Sequence, residues 1–67
     1  MPPLVLTSPW AKGTWRFEMV GRHVHVTDSI YGDTVNYGSP ANAWNCMKFS
    51  YSGKAKQILR DWLGVRA

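Results

Sequence analysis

Apolar and polar residues alternate strictly through TWRFEMV, residues 14–20. Trp15, Phe17 and Met19 share one side, and Thr14, Arg16, Glu18 and Val20 the other. HVHVT, residues 23–27, repeats the period, with Val24 and Val26 opposed to His23, His25 and Thr27. A period of two belongs to a strand with one buried face. Between the two runs, Gly21 and Arg22 suit a type II′ turn, whose first central position needs positive φ. That turn sets a register: Val20 opposite His23, Met19 opposite Val24, Glu18 opposite His25 and Phe17 opposite Val26. A hairpin over about 14–27 is predicted.

Beyond it, DSIYGD reads as a loop and TVNY, 34–37, as a short third strand. Ser39 followed by Pro40 is a helix start, with serine as N-cap and proline at N1. A helix over about 40–49 places Ala43, Trp44 and Met47 together, with Asn42, Asn45 and Lys48 opposite. AWNCMKFSY also alternates as a strand would; the Ser-Pro start favours the helix. From 53 to 63 the period is clearer. Ala55, Ile58, Leu59, Trp62 and Leu63 form one helical stripe, and Gly64 stands at the C′ position. Lys54, Lys56, Gln57, Arg60 and Asp61 take the polar side.

The fold class expected is α+β: one small domain over 1–67. The hairpin and third strand pack against one or two C-terminal helices. Trp15, Phe17, Met19, Val24, Val26, Trp44, Met47, Ile58, Leu59, Trp62 and Leu63 are the expected core. Residues 1–12, with Pro2, Pro3 and Pro9, read as an arm or an edge strand.

Composition narrows the class. A chain of 67 residues with one cysteine, Cys46, has no disulfide staple and a thin core. Such domains gain stability from a partner or from self-association, so a homo-oligomer fits. The unpaired cysteine favours a reducing compartment. No targeting segment or run of transmembrane length is visible, so a cytoplasmic protein without membrane contact is expected. Four Trp, three Tyr and two Phe set the chain apart from disordered sequences.

The net charge of +4 favours an acidic partner. Lys54, Lys56, Arg60 and Arg66 gather in the last segment; Lys12, Arg16, Arg22 and Lys48 are scattered. SPWAKGTWRF, residues 8–17, suggests a nucleic-acid surface at first sight. Trp15 and Phe17 belong to the buried side of the strand, however, which leaves Trp10, Lys12 and Arg16 outside. A free tryptophan beside two cations is a candidate anchor. Lys54 and Lys56 crowd a helix start, where a cation is locally disfavoured and an anion welcome.

The remaining chemistry is sparse. HVH puts two imidazoles on one strand face, but a zinc site needs a third and usually a fourth ligand. Neither Cys46 nor Asp28 is required by spacing to supply one, and no metal or cofactor is expected. YSGKAKQ departs from the phosphate-loop pattern at Lys48 and Ala55. The four carboxylates form no purposeful pair, and Cys46 with His23 or His25 matches no nucleophile signature. YGSPANAW, residues 37–44, resembles the Ser-Pro helix start that follows a hairpin in small accessory domains of restriction and methylation enzymes; no function is carried over from so short a stretch.

The expected function is therefore non-catalytic. By size the chain is similar to small phage-type inhibitors and adaptors, docking on an acidic or nucleic-acid-handling surface of a protein or nucleoprotein partner. Lys54, Lys56, Arg60, Lys48, Trp10, Lys12 and Arg16 are the candidate contacts. The alternative is direct DNA or RNA binding by the basic face of the C-terminal helix.

Overall fold

The computed structural model describes residues 2–65; Arg66 lies outside them. Four antiparallel strands form one sheet in the order β1-β2-β3-β4: β1 Leu4–Thr7, β2 Thr14–Val20, β3 His23–Asp28 and β4 Thr34–Asn36. Two helices follow, α1 Pro40–Met47 and α2 Gly53–Leu63. The predicted α+β class holds, with one strand more than the hairpin and its neighbour. The N-terminal segment takes the edge-strand form: Leu4 pairs with Phe17 and Leu6 with Trp15.

The β2–β3 register is the predicted one, from Val20 opposite His23 to Phe17 opposite Val26. Gly21 has φ +61, and no non-glycine residue among those described has positive φ. That combination is the II′ turn. β4 joins β3 with Val35 opposite Val26, and the hydroxyls of Thr27 and Thr34 meet at 2.9 Å.

Both helices cover the face that carries Phe17, Val24 and Val26. α1 packs on β3 and α2 on the edge strand β1. Ser39 caps α1, its Oγ accepting from the Asn42 amide at 3.2 Å, with Pro40 in the first turn. The strand alternative for 43–51 is thereby excluded, and α1 stops at Met47, short of 49. α2 ends in a Schellman turn: Gly64 has φ +71, and the Val65 amide donates to the Arg60 carbonyl.

The core is Phe17, Val24, Val26, Ala43, Met47, Tyr51, Leu59 and Leu63. The Phe17 ring is its hub, with Trp15, Tyr51 and Trp62 centred 6.5, 6.4 and 6.3 Å away. Trp15, Met19, Trp44 and Trp62 are half-buried around it. Ile58 departs from expectation and is 41% exposed. It lies about 100° round the helix from Leu59. Because α2 sits over the outermost strand, that flank projects past the sheet. Trp62, on the same flank, turns back and donates from Nε1 to the Pro2 carbonyl at 2.9 Å. The Tyr51 hydroxyl donates likewise to the Thr7 carbonyl. Tyr51 thus occupies a backbone acceptor at the end of the edge strand, and Trp62 holds the residues that lead into it.

Candidate binding groove and basic cluster

Two loops leave one end of the sheet: residues 8–13 between β1 and β2, and 29–33 between β3 and β4. The β2–β3 ladder, ending at Trp15 opposite Asp28, brings them side by side. The Thr14 amide donates to Ser29 Oγ at 2.8 Å, and the Ser29 amide to the Thr14 carbonyl at 3.0 Å. Gly13 sits at the contact with φ +96. A Cβ there would lie 2.5 Å from Ser29 Oγ and 2.9 Å from Ile30 Cγ1, so only glycine lets the loops approach this closely.

Each loop is also braced internally. Asp28 accepts from the Ile30 amide through Oδ1 and from the Tyr31 amide through Oδ2. This Asx turn shapes the second loop. In the first, the Ser8 amide donates to the Gly13 carbonyl, and Ser8 Oγ accepts from the Ala11 amide.

Between the loops lies a groove of about 450 Å³, walled by Trp10, Trp15, Ile30 and Tyr31. Its surface is mostly apolar, with Lys12 the cation at its rim. Trp10 is 73% exposed, Ile30 57% and Tyr31 80%. Trp15 is shared: one side of its ring meets Phe17 in the core, while the side chain also lines the groove.

A second cluster forms around Phe49, which is 84% exposed. The Lys48 and Lys56 ammonium groups lie 5.3 and 5.6 Å from its ring centre, within cation–π range. Lys56 and Arg60 also line a recess of about 100 Å³ with Trp44. Arg60 donates to Gln57 Oε1, and Gln57 donates to Asp61 Oδ1. Tyr51 ties the α1–α2 connection to the end of β1, so Phe49 lies at the same end of the sheet as the groove.

The expected contact residues therefore fall into separate groups. Trp10 and Lys12 belong to the groove. Lys48, Lys56 and Arg60 belong to the Phe49 cluster. Lys54 is exposed on the far side of α2, because residues two apart on a helix point nearly opposite ways. Arg16 projects from the uncovered sheet face and pairs with Glu18 at 3.2 Å. Glu18 stands opposite His25 in the ladder but gives its carboxylate to Arg16.

His23 and His25 lie on that uncovered face as well. His23 Nδ1 accepts from Asn36 Nδ2. Cys46 is on α1, against the other face, so it meets neither histidine. Among the described residues no group of three His, Cys, Asp or Glu side chains converges. Burial holds the Tyr51 phenol up at about 12, and burial followed by the nearby Cys46 raises Tyr37. Both therefore remain neutral hydroxyls at ordinary pH. No helix among the described residues is long and apolar enough to cross a membrane.

Sequence reasoning missed Ile30, Tyr31 and Phe49, and placed Trp15 only in the core. A signal for the first two existed: continuing the hairpin register one pair past Trp15 and Asp28 puts the two loops in contact. Phe49 carried none, since its exposure depends on where α1 stops. Compared with known proteins, the chain matches no family model, no curated protein and no solved structure.

Proposed function

We propose that this chain is a non-catalytic binding protein, acting as an inhibitor or adaptor, that docks through the loop-end groove on an acidic surface of a protein partner. One observation carries the reading. Two loops braced by hydrogen bonds hold Trp10, Ile30 and Tyr31 out in water around a preformed apolar groove. Folding gains nothing from that exposure, while binding gains a rigid aromatic anchor. The net charge of +4 and the ammonium of Lys12 at the rim match an acidic partner. The test is capture of a partner by the immobilised protein from a native-host lysate, with and without nuclease. Expected is an acidic protein retained after nuclease and lost with Trp10→Ala or Tyr31→Ala. Retention by both variants at full strength refutes the groove as the contact.

Direct DNA or RNA binding is the second reading, favoured by the two ammonium groups gathered over exposed Phe49 beside Arg60. In that case capture is nuclease-sensitive. Affinity for an oligonucleotide then falls steeply with salt, with a log–log slope that tracks the phosphates contacted. Lys48→Glu with Lys56→Glu makes that slope shallower and leaves groove-dependent capture unchanged.

A further inference from the structure

Resting on the protein-partner reading, we infer that the groove receives a short partner segment in which a large apolar side chain neighbours a carboxylate. Its volume of about 450 Å³ falls among cavities that enclose small organic groups, commonly 300–1,000 Å³. Trp10, Trp15, Ile30 and Tyr31 offer such a group apolar walls. A phosphate alone would leave those walls unused.

The polar groups decide the charge of the occupant. Ser8 Oγ is engaged by the Ala11 amide, and both oxygens of Asp28 are engaged by the amides of Ile30 and Tyr31. Asp28 thus turns both oxygens to the amides of its own loop, and although it keeps its charge, neither oxygen is left free of a donor. Lys12 is different. Among the described residues the one ion pair is Arg16 with Glu18, so the Lys12 ammonium has no carboxylate partner. An apolar side chain therefore fills the groove while a neighbouring carboxylate reaches Lys12. A cationic neighbour is opposed by Lys12 and by the net charge.

The experiment is an NMR titration of the full chain, following the indole N–H signals of Trp10 and Trp15. The probes are the capped dipeptides Ac-Leu-Glu-NH₂, Ac-Leu-Gln-NH₂, Ac-Leu-Lys-NH₂ and Ac-Gly-Glu-NH₂. Ac-Leu-Glu-NH₂ is expected to shift both indoles at millimolar concentration. It should bind about threefold more tightly than the Gln peptide, as an exposed ion pair allows, and more tightly still than the Lys peptide. Lys12→Gln should erase the preference for Glu over Gln while leucine binding persists, and Trp10→Ala should abolish both.

Equal binding of the Lys and Glu peptides, equal response to Ac-Gly-Glu-NH₂, or indoles unmoved by any peptide overturns the inference. Partner capture that depends on Trp10 without a peptide response overturns it while leaving the binding function intact. A Glu-selective peptide response with no captured protein supports the groove chemistry and counts against the partner reading.

Discussion

The hydroxyl of Tyr51 donates a 2.9 Å hydrogen bond to the carbonyl of Thr7, 44 residues earlier in the chain. This bond joins the α1–α2 connection to the end of β1, and the Tyr51 ring packs on Phe17. It sets the loops of the sheet and the Phe49 cluster at one end of the molecule.

Burial raises the Tyr51 phenol from its ordinary value of 10 to about 12. The folded protein thus holds this proton more tightly than the unfolded chain. Its contribution to stability is complete below pH 10 and is lost as pH rises through about 12. Denaturant titrations at pH 8, 10, 11 and 12 should show stability falling over the upper range. In Tyr51→Phe that component of the fall should disappear. The variant should also lose about 1 kcal/mol at pH 8, the usual net worth of one hydrogen bond. An identical pH profile in both proteins would contradict the assignment.

Gly13→Ala tests the contact between the loops. The new Cβ meets Ser29 Oγ and Ile30 Cγ1 and forces φ +96 on a residue that avoids it. A cost of about 1–3 kcal/mol is expected. The Trp10 indole N–H signal in NMR should also shift, because the groove depends on loops that touch. Gly32→Ala is the control, with positive φ and open space around it. It should carry backbone strain alone and leave the Trp10 signal in place.

The packing phase of α2 is tested by neighbouring residues. Leu59 is fully buried, and Leu59→Ala should cost about 2–5 kcal/mol. Ile58→Gln should stay within about 0.5 kcal/mol, as for ordinary surface changes. In a domain of this size each kcal/mol moves the melting temperature by about 4–8 °C. Thermal melts therefore separate the two variants readily. Equal destabilisation would mean that Ile58 is packed.

Trp62 joins the core to the N-terminal segment through its ring on Phe17 and its Nε1 bond to Pro2. Trp62→Phe removes the donor while keeping an aromatic ring, and should cost about 1 kcal/mol. Trp62→Ala removes both, and about 3 kcal/mol is expected. Hydrogen exchange at β1 should rise in both variants, since the segment leading into the edge strand loses its bond to α2.

The local features were legible in the chain because they arise from neighbours in sequence. Alternation around Gly21-Arg22 determined the β2–β3 register, since a slip by one residue would turn Phe17 and Val26 to solvent. Ser39-Pro40 and Gly64 marked helix ends for the same local reason: capping satisfies backbone groups within a few residues. Tertiary structure decided the rest. Whether Ile58 is covered depends on α2 lying over an edge strand, which its own periodicity does not contain. Tyr51 can enter the core because the Thr7 carbonyl is there to accept a hydrogen bond from its hydroxyl. The groove exists because two loops about 15 residues apart in sequence are pressed together at Gly13 and Ser29. Lys54 and Lys56, near neighbours in the chain, part because a helix turns them to opposite sides, and only Lys56 finds Phe49. Periodicity tells which side of an element is apolar; what that side meets, and which apolar residues are left in water, is set by the packing of one element on another.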